Sequence, residues 1–304
     1  MLSNRSLKNK QSEGVQYRFS GVWQVILTEI RMQMINEEQT SRRFSGLVSL
    51  YGENGLARLK EVHVAVVGVG GVGSWAVEAL ARNAVGQITM IDMDIVSESN
   101  INRQLPAMTS TIGRDKTLVL QERIMKINPN CDVAIVDDFV TVDNVKNILP
   151  VDANYVLDCI DNFRVKAAMI AHCQRNKMPI LTIGGAGGQL DPSRIKQVDL
   201  TRTQHDALFA KTRKLLRQDY GFARNPKRTF GVPCVYSDEQ VVYADGHGGV
   251  TKQKPSVNHD NNESGVSFSN LSCASGLGSS MQVTASFALI AVARIVKDII
   301  NQTA

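Results

Sequence analysis

At 304 residues, with 43% hydrophobic and 21% charged content, the chain can bury a full core and has the make-up of an ordinary globular protein. Its net charge of +5 permits an acidic partner without demanding one. Five cysteines, at positions 131, 159, 173, 234 and 273, form no CxxC pair. That odd count speaks against a disulfide framework and against structural zinc, and for a reducing cytoplasm.

Residues 1–33 are polar and basic without a strong period, and are expected to be a flexible arm. The run VWQVILTEI at 22–30 is too short to span a bilayer. The first folded domain is expected over 34–190, and helical patterning covers 44–61. An apolar, β-branched run at 62–69 leads into a glycine turn and a helix, the pattern of a buried strand feeding a crossover. Further strands are expected at 87–94, 131–139, 154–161 and 178–188, with helices at 116–129, 143–149 and 163–177 between them. Strand and helix alternating at this spacing predict an α/β fold: a doubly wound, Rossmann-like, mostly parallel sheet.

After residue 191 the alternation breaks, and residues 191–304 are expected to form a smaller C-terminal lobe at the carboxyl edge of the sheet. Between Arg194 and Arg228 stand ten Lys or Arg against three Asp, among them Lys211, Arg213, Lys214 and Arg217 in a predicted helix over 203–219. Charge alone fits either a phosphate backbone or a solvated helical face. Short strands are expected around 231–243, then a polar loop at 244–264 with no assignment. No charged residue occurs from Ser264 to Ala293, and 271–293 is of span length by hydropathy. Ser, Asn, Gly and Gln dot its first half, so 277–300 reads as a buried or dimer-facing helix instead. His205, His247 and His259 lack partners at ligand spacing, which argues against a metal site there.

The chemistry is concentrated between residues 68 and 162. Gly68, Gly70 and Gly73 satisfy GxGxxG, with Gly71 between them, and such a turn lets backbone approach phosphates at a helix N-terminus. By itself it fits NAD, FAD, S-adenosylmethionine or ATP, while the lack of GxxxxGK[ST] excludes a P-loop. The stretch DMDIVSESNINRQ at 92–104 puts Asp92 where ribose hydroxyls bind, then adds a second acid and an arginine. Arg103, Lys116 and Asp161 should all project from the carboxyl edge of the sheet. Two permanent cations and a carboxylate converging on a nucleotide suit triphosphate chemistry better than hydride transfer.

This pattern, GxGGxG, then DxDxVxxSNxNRQ, then a lysine thirteen residues after the arginine, then Asp161-Asn162, resembles the ubiquitin-activating-enzyme-like (E1-like, ThiF-type) adenylating family. The resemblance implies an E1-like adenylating fold binding ATP and Mg²⁺. It implies that Asp92 holds the ribose, that Ser99, Asn100, Arg103 and Lys116 meet the phosphates with Gln104 alongside, and that Asp161 serves Mg²⁺ beside Asn162. A further arginine supplied in trans by a homodimer partner matches Arg43 or Arg42. The stretches VDDFVTVDNV, IGGAGGQLDPS, GVPCVYS and CASGLG are similar to the branch that dehydrates threonylcarbamoyladenosine in tRNA. That branch implies an acyl-adenylate on the threonine carboxylate, closed by the substrate's own nitrogen with release of AMP, and a tRNA partner rather than DNA for the basic stretch. The alternative is an activator of a ubiquitin-like sulfur-carrier protein, against which the missing CxxC pairs count. Cys234 fits a packing residue, a relic, or a sulfur-relay contact to a cysteine desulfurase or acceptor partner.

Overall fold

The computed structural model describes residues 42–254 and 277–301. The N-terminal arm, Cys273, His259 and residues 255–264 of the unassigned loop therefore lie outside the described residues. The chain clusters into two units, Met1–Ser45 and Gly46–Ala304, and the second carries the sheet.

Helix α1 (Ser45–Glu61) bends at Gly52. Then follow β1 (His63–Val67), α2 (Gly73–Arg82), β2 (Gln87–Ile91), α3 (Lys116–Ile127), β3 (Asp132–Val136), α4 (Val145–Ile148), β4 (Tyr155–Asp158), α5 (Phe163–Arg175) and β5 (Ile180–Ile183). These are the elements expected from the alternation, each strand shorter than its expected range. Strands β1, β4 and β5 are buried along their whole length, which is why they read as unbroken apolar runs rather than alternating ones.

The sheet has seven strands in the order β3-β2-β1-β4-β5-β7-β6. All neighbours are parallel except the last pair, where β6 (Ile195–Asp199) runs antiparallel to β7 (Pro233–Ser237). The segment after 191, expected as a smaller lobe, thus extends the same sheet through β7 and β6. The physical reason is that β5 would otherwise leave an open edge. Edge strand β6 carries Lys196 and Gln197 outward instead. A two-residue hairpin, β8 (Tyr243–Ala244) with β9 (Val250–Thr251), stands apart.

One face of the sheet is covered by α2, α3 and α7 (Met281–Ile300), the other by α4, α5 and α6 (Ala207–Asp219). Helix α7 buries Val283, Phe287, Ala288, Ala291, Val292 and Ile295, a stripe at helical spacing, against the first of these clusters. Its carboxyl end is held by Arg58, which donates to the Ile300 carbonyl at 2.8 Å. Among the described residues no helix is long and apolar enough to cross a membrane.

The strand order reverses at β1, which lies between β2 and β4. The crevice opens there, at the carboxyl ends of the strands.

Candidate active site

The glycine turn fills the β1 end of that crevice. Gly68 has φ +81°, a conformation that L side chains rarely adopt, and its N–H donates to the Ile91 carbonyl at 2.9 Å. A Cβ on Gly73 would collide with the Gly68 carbonyl oxygen, so the first turn of α2 closes on the loop only with glycine at that position. Gly70 and Gly71 face more open ground, near the side chains of Gln104 and Arg103.

Asp92 follows β2 and is buried. Its Oδ2 accepts the Val69 N–H at 2.7 Å and its Oδ1 the Asp94 N–H at 2.8 Å. Burial pushes its carboxyl above the usual carboxylate range, opposed by those two N–H groups and by Lys116. Asp92 therefore pins the glycine turn and keeps lone pairs for hydroxyl donors. The second acid of the stretch has a different task. Lys116, the first residue of α3, is buried, and its Nζ lies 2.8 Å from Oδ2 of the half-exposed Asp94. Asp94 holds the lysine at the crevice, leaving two of its three protons for another anion.

Arg103 is positioned through its backbone. Its carbonyl accepts from Trp75 Nε1 at 2.9 Å, and Ser74 Oγ bonds both the Gly70 carbonyl (2.6 Å) and the Leu105 N–H (3.2 Å). Asn102 Nδ2 donates to the Ser279 carbonyl at 2.6 Å, tying the loop to the start of α7. Among the described residues the guanidinium bonds only its own loop, with Nη1 on the Ser99 carbonyl and Asn102 Oδ1. Asn100 is buried, and its Oδ1 caps the Ser97 N–H; Ser99 is exposed with its hydroxyl on Ser97. The tethers on Ser74 and Trp75 escape motif reading, because neither is a fixed position of the pattern that marks the site; Asn102 is a position of that pattern, but the pattern does not show that it ties the loop to α7. Gln104 is buried beside Gly70, and its Oε1 has no partner among the described residues. A buried acceptor without a donor at the mouth of a phosphate cradle is a fit for a ligand N–H or O–H.

Asp161 is exposed at the carboxyl end of β4, next to Asn162, whose Oδ1 caps α5 through the N–H groups of Arg164 and Val165. A three-carboxylate or His/Cys cage is absent among the described residues. One carboxylate completed by phosphates and water is the donor set that Mg²⁺ takes, so Asp161 suits Mg²⁺ bound with a triphosphate.

Beneath the site lies a charged cluster without a sequence signature. Asp158 and Thr182 share a register row of β4 and β5, and Lys166 of α5 comes down on both. Lys166 Nζ is 2.7 Å from Asp158 Oδ2 and 3.1 Å from Thr182 Oγ1, and all three residues are fully buried. Asp158 Oδ1 accepts the Ile160 N–H at 3.3 Å, which fixes the backbone leading to Asp161.

The basic stretch divides. Lys211 and Lys214 are exposed on α6. Arg213 turns inward, bonded to Thr203 Oγ1 and the Leu200 carbonyl, and burial lowers its pKa. Arg217 lies over the Phe230 ring at 5.1 Å. Cys234 sits inside β7 between β5 and β6, fully buried, and burial pushes its thiol far up, which suits packing rather than thiolate chemistry. Arg43 is exposed in the N-terminal unit.

The ThiF family model matches residues 42–300. The chain is 45% identical over 273 residues to the tRNA threonylcarbamoyladenosine dehydratase of Escherichia coli (strain K12), covering 90% of this chain and 99% of that protein. It is 43% identical over 269 residues to the enzyme of the same name from Haemophilus influenzae, covering 88% of this chain and 97% of the relative. A crystal structure of the E. coli tRNA N6-threonylcarbamoyladenosine dehydratase in complex with ATP superposes with a TM-score of 0.73 at 44% identity, over 85% of this chain and 94% of that one.

Proposed function

The chain belongs to the ThiF family, and from that footing we propose that it uses ATP to dehydrate N6-threonylcarbamoyladenosine beside the anticodon of tRNA. One observation carries the proposal. The Gly68–Gly73 turn, then Asp92, Arg103 and Lys116, then Asp161 come from three separate βα connections, and all lie along the carboxyl edge around the β1/β4 switch point.

ATP lies with its ribose hydroxyls on Asp92 and its phosphates over the glycine turn at the N-terminus of α2. The threonine carboxylate attacks the α-phosphorus, the bond to the β-phosphate oxygen breaks, and pyrophosphate leaves. Lys116 and Arg103 stabilise charge on the phosphates as that bond breaks, from positions set by Asp94 and by Trp75 before substrate arrives. Asp161 would hold Mg²⁺, which would supply further neutralisation of the phosphate oxygens. The threonylcarbamoyl nitrogen then attacks the activated acyl carbon, loses its proton, and expels AMP. Oxide is a poor leaving group and AMP a good one, so ATP makes possible the loss of water. Ring closure is intramolecular and needs proximity rather than a protein nucleophile, which agrees with a buried Cys234.

On this reading the protein works in the cytoplasm as a homodimer with Arg43 reaching the partner's phosphates, residues 34–190 bind ATP, and the exposed lysines of α6 face tRNA. The test uses purified protein, Mg-ATP and tRNA carrying threonylcarbamoyladenosine, with mass spectrometry of the digested nucleosides. An adenosine derivative lighter by one water, formed only with ATP and lost in Arg103→Ala and Asp161→Ala, is the expected product. Unchanged nucleoside from folded, ATP-binding protein would move the assignment to a sulfur-carrier activator.

A further inference from the structure

Helix α5 begins directly after Asp161-Asn162, and its first residue, Phe163, is only half-buried. Two cations lie over its ring. The Arg164 guanidinium is 5.1 Å from the ring centroid, and the Lys211 ammonium, arriving from α6, is 5.6 Å away. Both are exposed, as is Lys214 further along α6. Among the described residues no carboxylate pairs with Arg164, Lys211 or Lys214.

Four other cations of the basic stretch are engaged, while Arg202, Arg224, Lys227 and Arg228 are exposed but lie over no aromatic ring among the described residues. Arg194 and Lys196 share Asp238, Arg213 is turned into the fold, and Arg217 covers Phe230. A solvated face would be expected to interleave its charges in this way. The Phe163 cluster keeps two unpaired cations on a half-open aromatic ring, next to the carboxylate assigned to the reaction centre. Every nucleobase offers a π-face to such a ring, and the phosphates on either side of a base meet the cations. A loop nucleotide, unstacked from its own helix, is the ligand with both features.

We propose that Phe163, Arg164 and Lys211 form a nucleotide subsite that stacks the base adjoining the modified adenosine and neutralises its flanking phosphate. This rests on the tRNA reading above. The threonylcarbamoyl arm extends from the adenine edge toward Asp161, so the neighbouring nucleotide falls at the rim of the site, where α5 presents its first residue. Arg164 and Lys211 keep the ring in place until a base replaces one of them.

The experiment uses the full chain and a fluorescently labelled anticodon stem-loop RNA carrying threonylcarbamoyladenosine, with Kd measured across a salt series for Phe163→Leu, Phe163→Trp and Lys211→Ala. Melting temperatures and ATP affinities of each variant show that it is folded. Stacking on one aromatic side chain is worth roughly tenfold in affinity, so Phe163→Leu weakens RNA binding on the order of tenfold with the salt slope unchanged. Phe163→Trp restores it. Lys211→Ala weakens binding and lowers the slope of log K against log salt by about 0.7, the value for one single-stranded phosphate. In dehydration assays the KM for tRNA rises in Phe163→Leu while kcat holds. Wild-type RNA affinity in Phe163→Leu, or a wild-type slope in Lys211→Ala, overturns the subsite, and if the wild-type protein still dehydrates tRNA the function proposed above stands. RNA binding that depends on Phe163 in a protein that does not dehydrate tRNA supports the subsite and overturns the reaction.

Discussion

Lys166 offers the sharpest test of how the fold holds the site. It is 0% exposed, and its ammonium has Asp158 at 2.7 Å, Thr182 Oγ1 at 3.1 Å and the face of Phe209 at 5.9 Å. Replacing it with methionine keeps most of the volume and removes the only cation on Asp158 among the described residues, where the remaining donors are the Thr182 hydroxyl at 2.6 Å and the Ile160 N–H. Breaking a buried pair from one side leaves an uncompensated charge and costs about 3–5 kcal/mol. For a domain of this size that is a fall in Tm of roughly 6–20 °C. Removing both charges, in Lys166→Met with Asp158→Asn, recovers a large part of the loss, because the second change deletes the stranded carboxylate. Urea unfolding of the two single variants and the double, followed by circular dichroism, gives the coupling energy directly. A Lys166→Met protein within about 1 kcal/mol of wild type, or strictly additive single variants, would refute the reasoning.

Gln104→Leu removes a buried acceptor that has no partner among the described residues, so the protein without nucleotide keeps or gains thermal stability while ATP affinity, read by calorimetry, falls severalfold. Equal losses of stability and affinity would show that Gln104 only packs. Burial works against the Asp199 carboxylate, but the Thr201 hydroxyl and N–H and the N–H groups of Phe230 and Val232 outweigh it and hold its pKa below the usual range. A depressed carboxylate stabilises the fold above its unfolded pKa of about 3.9 and loses that contribution as pH falls through the lower folded value. Asp199→Asn therefore lowers Tm near neutral pH and flattens its decline below about pH 4; parallel Tm–pH curves for the two proteins contradict this. Cys234, with its thiol raised by burial, resists iodoacetamide at neutral pH in the folded protein and reacts in urea, and Cys234→Ala keeps dehydration activity. Rapid labelling of folded protein, located by peptide mapping, would count against its packing role.

The geometry of the candidate nucleotide half of the site was legible in sequence because its parts are local. The glycine turn needs φ and close approach that only glycine gives at Gly68 and Gly73, Asp92 sits one residue past a strand, and Arg103, Lys116 and Asp161 stand at loop positions that the βαβ alternation sends to one edge. Helix α7 was legible as a buried or dimer-facing helix from its uncharged run with polar residues in the first half, and the structure supplied the buried stripe. Even the inward turn of Arg213 was readable, since it falls four residues after Phe209 and three before Leu216, on the face they bury. Tertiary structure decided the rest. That β7 joins β5, with β6 reversed outside it, depends on which open edge the chain returns to, and strand patterns carry no partner label. That Lys166 is buried follows from Asp158 and Thr182 meeting across β4 and β5; in the linear chain it is one lysine in an amphipathic helix. The role of Asp94 and the gathering of Phe163 with Lys211 have the same origin. Such pairs are made by side chains 22 and 48 positions apart, and only packing brings them within a few ångströms.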